Sequence, residues 1–239
     1  MIDFYKNRVI LIGMSIKLRT AMKSVLAMGY FKNENARSSK AVYGHEDMIA
    51  EKIKLAGFAE ELKEKYPKIS KSMLREWASF GDDTKLRAAT VNMPVGTYIL
   101  QPAGSQGFPD ILVKDFSDRF VAIECKSSKF TIPMWNDNLP KPKAIYIFAS
   151  KSLNKTTLFL GKDVINEDTV KLQSELMTEM EMVVKKYATK SKDVDNYKRG
   201  WHLRFRPQNF QQGGSEMTNY FTHVGRESCE NNVLTFSSQ

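Results

Sequence analysis

The sequence predicts an α/β domain in which helices flank a mixed β-sheet, and three observations carry that expectation. Apolar residues recur at helical spacing up to Phe80. Short β-rich runs broken by Gly, Pro, Asn and Asp then follow to about residue 160, and helical spacing returns after Asn166.

Taken in order, Ile16, Leu18, Met22, Val25 and Leu26 line one face of a helix predicted over Ser15 to Met28 and stopped by Gly29. A second helix starts near Gly44 and carries Ile49, Ile53 and Ala56 on its apolar face. Gly57-Phe58 breaks it before a charged segment, Ala59 to Tyr66, that ends at Pro67. A short helix follows over Ser70 to Phe80, and from Asp83 onward the pattern is read as β. The predicted strands are Thr97 to Gln101, Asp110 to Lys114, Arg119 to Lys126, Lys143 to Ala149 and Thr156 to Leu160. A turn at Asp115 to Asp118 makes a hairpin of the second and third. The run Ala144-Ile145-Tyr146-Ile147-Phe148-Ala149 is apolar throughout, as in a central strand covered on both faces. Asn166 caps a last helix whose Leu172, Leu176, Met180 and Val183 are expected to cover the sheet.

Bulk properties bound the function. The chain has 239 residues, 42% hydrophobic and 26% charged, with no repeat or low-complexity linker, and reads as one domain over 1–239. Its longest early apolar stretch, Val9 to Met14, is too short to span a bilayer, and no signal-peptide cleavage pattern follows it, so a cytoplasmic protein without a membrane role is expected. Two cysteines, Cys125 and Cys229, exclude a disulfide framework, and His45, His202 and His223 have no zinc-ligand spacing. No glycine-rich phosphate loop is present, which argues against a nucleotide cofactor. Thirty-six Lys and Arg against 27 Asp and Glu leave a net charge of +9, which favours a polyanionic partner, nucleic acid foremost.

The chemistry-bearing constellation lies within the sheet. Strand alternation puts Glu124 and Lys126 on one face and Cys125 on the other, and the hairpin brings Asp110 beside them. Two carboxylates at a sheet edge suit Mg²⁺, which needs only one or two protein carboxylates, and an adjacent ammonium can assist an attacking water and offset phosphorane charge. A solvated cross-strand ion pair is the alternative. Against it, these residues end the apolar strand Phe120-Val121-Ala122-Ile123, where charged groups require a reason.

Gly107-Phe108-Pro109-Asp110-Ile111-Leu112-Val113, followed by Val121-Ala122-Ile123-Glu124-Cys125-Lys126-Ser127-Ser128, resembles the signature of the PD-(D/E)xK nuclease superfamily. The layout resembles it over about residues 44–160, the specific motifs only over Ser105 to Lys129. The resemblance implies a restriction-endonuclease-like core over about 44–190. It implies catalysis by Asp110, Glu124 and Lys126 and a Mg²⁺ held by Asp110, Glu124 and the Cys125 carbonyl. It also implies a further glutamate on a helix ahead of the sheet. Glu46 is the candidate and Glu51 the substitute, a plain surface glutamate being the equal alternative. Within the superfamily, the segments 1–43 and 191–239 point to a type II restriction endonuclease acting on double-stranded DNA as a homodimer. A structure-specific resolvase or repair nuclease, or a non-catalytic DNA-binding module, is the rival reading. Lys129, Lys141 and Lys143 are expected to follow phosphates. In Trp201-His202-Leu203-Arg204-Phe205-Arg206, alternation puts Arg204 and Arg206 on a polar face that can meet DNA, as base readers or phosphate contacts, a solvated strand face being the alternative.

Overall fold

A computed structural model describes residues 16–30, 44–105, 107–135, 139–195, 198, 200 and 219–238. Its elements, in order, are α1 (16–26), α2 (His45–Leu55), β1 (Ala59–Glu61), α3 (Lys71–Phe80), α4 (Thr84–Ala89), β2 (Thr97–Leu100), β3 (Ile111–Lys114), β4 (Phe120–Ser128), β5 (Ile145–Ser150), β6 (Lys155–Leu160), α5 (Gly161–Val164), α6 (Glu167–Val194) and α7 (Arg226–Phe236). The α/β class holds, with a six-stranded mixed sheet flanked by helices. Its strand order is β1-β2-β3-β4-β5-β6. β2, β3 and β4 form an antiparallel meander, β4 and β5 run parallel, and β1 and β6 close the edges as a parallel and an antiparallel neighbour.

Local chemistry accounts for these boundaries. The Ser70 side chain accepts the Met73 N–H to start α3, and Gly81 ends it with φ +90°, a left-handed conformation that glycine adopts without strain. Asn166 Oδ1 accepts the Thr169 N–H at 2.8 Å to open α6. In the β3–β4 turn, Asp115 Oδ1 accepts the N–H groups of Ser117 and Arg119, each at 2.9 Å, which fixes the hairpin register of Ile111 opposite Ile123.

The sheet is buried on both faces because each strand sends apolar side chains both ways. On one face Ile111, Val113, Val121, Ile123, Ile145 and Ile147 meet Leu18, Met22 and Val25 of α1, Ile49 and Ile53 of α2 and Val233 of α7. On the other, Ile99, Leu112, Ala122, Tyr146, Phe148 and Phe159 meet Leu74 and Trp77 of α3, Leu86 of α4, Trp135 and Phe221.

Four expectations are corrected. Ala59–Glu61, read as a charged segment, pairs as an edge strand parallel to β2, since an edge position leaves its glutamates room to reach solvent. The β pattern does not begin at Asp83, because α4 intervenes and buries Leu86. Gly29 lies beyond the end of α1 and permits a close approach of Asn154, whose Oδ1 accepts the Tyr30 N–H at 2.9 Å. Finally, α6 does not cover the sheet. Both faces are already occupied by other elements, and Leu172, Leu176 and Val183 stay exposed while only Val170 is buried. The covering helix is α7, packed on β6, with Glu230 accepting from Thr157 Oγ1 and Arg226 Nε, both at 2.7 Å. Among the described residues no helix is long and apolar enough to cross a membrane.

A candidate active site where two strands part

β3 and β4 pair from Lys114 opposite Phe120 to Ile111 opposite Ile123 and then separate, while β4 continues alone beside β5 to Ser128. Asp110, expected inside the strand, stands just before β3, where its carbonyl accepts the Gln101 N–H at 2.7 Å. Its side chain fills the gap. Asp110 Oδ2 accepts the Cys125 N–H at 2.6 Å, a position the departing strand would otherwise occupy. Since the N–H and C=O of one strand residue point to the same side, the Cys125 carbonyl also faces this gap. The Cys125 thiol packs in the opposite direction against the α1/α2 core, and burial pushes it well above its ordinary range, so it stays a neutral thiol.

Strand alternation sets Glu124 and Lys126 side by side, Lys126 Nζ donating to Glu124 Oε1 at 2.7 Å. The other oxygen, Oε2, is buried without any hydrogen-bond partner. A buried carboxylate oxygen left unpaired carries a desolvation cost that only a cation or a proton can relieve. Burial raises Glu124, and the neighbouring Lys126 only partly offsets it. Asp110 is pushed up to about 8 by burial, by Glu124 and by Glu46, against the opposing Cys125 N–H and Lys126. Burial by itself would lower Lys126, but Glu124 and Asp110 outweigh it and hold the ammonium charged. Its Nζ lies 6.0 Å from the Trp135 ring centroid, and Trp135 meets Tyr146 edge-on at 5.4 Å.

Glu46, at the start of α2, belongs to this cluster through its charge, which bears on both Asp110 and Glu124. Gln101 links the two ends: its N–H holds the Asp110 carbonyl, and its Nε2 donates to Glu46 Oε2 at 3.3 Å. Glu51 lies exposed farther along the helix. His45, half-buried beside Glu46, has both ring nitrogens buried without a hydrogen-bond partner, and this burial lowers it to about 4. Gln101, His45 and Tyr146 were missed in the sequence. The one available signal, the place of Tyr146 opposite Glu124 in a parallel pair, needs the strand register to be seen.

The donor set fits Mg²⁺. Two carboxylate groups, one with an orphaned buried oxygen, together with a free-facing carbonyl suit a hard cation that retains water, although no group of three or more His, Cys, Asp or Glu converges on one point among the described residues. Of the expected phosphate contacts, Lys129 is exposed just past β4, and Lys141 is half-buried near Tyr146. Lys143 lies across Gly81 at the C-terminal end of α3, where an ammonium meets the negative end of the helix dipole rather than the carboxylates. Arg204 and Arg206, with their predicted strand, lie outside the described residues.

No protein-family model, curated protein or solved structure matches the chain. The resemblance therefore rests on the motif residues between Ser105 and Lys129.

Proposed function

We propose that this chain is a Mg²⁺-dependent type II restriction endonuclease with a restriction-endonuclease-like core, hydrolysing phosphodiester bonds of double-stranded DNA at a short specific sequence. The observation that carries the reading is the buried, partnerless Glu124 Oε2, set with Asp110 and the charged Lys126 in the gap where β3 leaves β4. Asp110, Glu124 and the Cys125 carbonyl hold the ion, which when bound polarises the scissile phosphate. Lys126 orients the attacking water and offsets negative charge growing on the phosphate oxygens. Glu46 adds negative charge at the mouth of the site and, tied to Gln101, steadies the peptide that carries Asp110. The net charge of +9 supports a polyanionic substrate.

Digestion of a DNA of known sequence in Mg²⁺ tests the reading. A reproducible set of discrete fragments is expected. Preference for branched junctions over linear duplex would replace it with a structure-specific nuclease, and duplex binding without any cleavage would reduce it to a binding module.

Cutting both strands of a palindrome calls for two sites, and α6 offers the surface for a dimer. The helix is about 42 Å long by its 28 residues, and it exposes Leu172, Leu176, Val183, Tyr187 and Val194 along one side. Its first half carries Glu167, Asp168, Glu175 and Glu179 with one cation, Lys171, and its second half Lys185, Lys186, Lys190 and Lys192 with two acids, Glu181 and Asp193. Antiparallel pairing of two copies about Val183 sets Leu172 against Val194 and brings the acidic part of one helix alongside the basic part of the other. Light scattering at micromolar concentration is expected to give a dimer for the wild-type chain and a monomer for Leu176→Glu/Val183→Glu. A dimer in the double variant would remove α6 from the interface.

A further inference from the structure

Arg75 stands on α3, on the sheet face that carries Glu124 and Lys126. Its Nε is buried and has no hydrogen-bond partner. The adjoining Glu76 does not neutralise it, because both Glu76 oxygens take Lys85 Nζ, at 2.9 and 3.0 Å. The Lys141 segment is tied to the same helix, the Lys143 N–H donating to the Ala78 carbonyl at 3.0 Å, and Arg75 bears on the Lys141 ammonium. Burial and then the repulsion from Arg75 bring the Lys141 ammonium down to about 8. Among the described residues neither group has a carboxylate within ion-pair distance.

Two half-buried cations placed together without a counter-ion are costly, and the fold spends structure to hold them there. The Lys141 N–H donates to Tyr146 Oη at 2.7 Å, its carbonyl accepts the Ala144 N–H at 3.0 Å, and Gly161 packs so closely on that carbonyl that any side chain there would collide with it. Tyr146 in turn pairs in register with Glu124, and its phenol, raised first by burial, feels both Glu124 and Asp110. One aromatic side chain therefore separates the unpaired cations from the carboxylates.

We infer that Arg75 and Lys141 form a phosphate subsite that binds a backbone phosphodiester adjoining the one held at Asp110 and Glu124. A planar guanidinium beside a point-charge ammonium matches the tetrahedral oxygens of a phosphate, and its arrival supplies the charge the pair lacks. The assignment rests on the nuclease reading for the identity of the bound polyanion. It gives the half-buried Lys141 a second cation to act with, and a role that the exposed Lys129 does not share.

The test compares wild type with Arg75→Gln, Arg75→Lys and Lys141→Met. Affinity for a 16-bp duplex of arbitrary sequence is measured by fluorescence anisotropy in Ca²⁺ across a salt series. Arg75→Gln and Lys141→Met are each expected to weaken binding roughly ten-fold near 0.1 M salt. Each should also take about 0.9 off the slope of log affinity against log salt, the share of one neutralised phosphate. Arg75→Lys, which keeps the charge, is expected to retain the wild-type slope. Because each charge-removing variant relieves a repulsion, its melting temperature in chloride alone should be no lower than that of wild type, which separates weaker phosphate binding from damage to the fold. Unchanged affinity and slope in both Arg75→Gln and Lys141→Met would overturn the subsite. So would a site that takes inorganic phosphate only, seen as phosphate raising the wild-type melting temperature over chloride at equal ionic strength while duplex binding stays the same in the variants. Absence of Mg²⁺-dependent cleavage by the wild type would end the nuclease reading alone, since the loss of duplex binding in the variants is read without cleavage.

Discussion

Asp110→Asn is expected to lower Mg²⁺-dependent DNA cleavage by at least about 10³-fold, the order lost when a principal electrostatic or acid–base group is removed from an active site. Duplex affinity should stay within a few-fold of wild type. The substitution is chosen for its small structural cost. Asn keeps a side-chain carbonyl that can accept the Cys125 N–H now held by Asp110 Oδ2 at 2.6 Å, so the gap between β3 and β4 stays bridged. What disappears is one of the two negative charges that hold the cation. Lys126→Met is expected to be as damaging by a different route. It removes the group that orients water, and it strips Glu124 of the 2.7 Å partner that offsets its burial. Glu124 then retains a proton more firmly, so the variant loses affinity for the ion together with the ammonium. Plasmid cleavage rates in Mg²⁺ and anisotropy with an uncleaved duplex provide the two readouts. Cleavage above a tenth of the wild-type rate in either variant would remove these residues from the mechanism, and parallel loss of binding and cleavage would make them DNA contacts instead.

These residues were legible in the sequence for a physical reason. Period-two alternation fixes which side chains share a strand face, so Glu124 and Lys126 had to be neighbours with Cys125 turned away. The hairpin turn at Asp115 set the register that brings Asp110 to them. The central strands were legible because both of their faces are apolar, and the starts of α3 and α6 because Ser70 and Asn166 cap their own chains. Other features depend on what lies across space. Ala59–Glu61 has no strand pattern of its own and pairs because β2 offers an edge. The apolar spacing of α6 defines a stripe but not what the stripe faces, and the sheet it was expected to cover is taken by α7, a helix with a buried glutamate. Gln101 meets Glu46, and Arg75 bears on Lys141, across separations that no local pattern encodes. Glu46 could be named only because a resemblance supplied the idea of a helix glutamate. Its placement near both carboxylates gives that idea a physical basis, through charge acting on Asp110 and Glu124.

The crowding of acids in this site makes the stability of the metal-free chain depend on pH in a direction opposite to that of most carboxylates. Asp110, raised to about 8, keeps its proton in the native state at pH values where the unfolded chain has already released it. The native state binds more protons between about pH 4 and 8, so stability falls as pH rises through that interval. Glu124 is displaced in the same direction. His45 works the other way and lower down: held neutral to about 4, it withholds a proton that the unfolded chain accepts below 6.5, so its contribution is lost as pH falls from 6.5 to 4. Lys141, lowered to about 8, acts around and above that value, where stability gains as pH rises. Between 6.5 and 8 the carboxylates therefore dominate, with Lys141 beginning to offset them as the pH nears 8. A full proton of difference loses about 1.4 kcal/mol per pH unit, and because Asp110 is itself releasing its proton near 8 the loss across the interval is roughly 1–2 kcal/mol. At about 2–4 °C per kcal/mol for a chain of this size, the melting temperature in EDTA should fall by roughly 2–8 °C between pH 6.5 and 8. Asp110→Asn, which has no proton to hold, should flatten the slope and melt above wild type at pH 8. Mg²⁺ should stabilise the wild type more at pH 8 than at 6.5, because at the lower pH it competes with the retained proton. A wild-type melting temperature that does not change across the interval, or an equal slope in Asp110→Asn, would show that Asp110 does not hold the proton, and with it would go the buried pair of acids on which the proposed cation site rests.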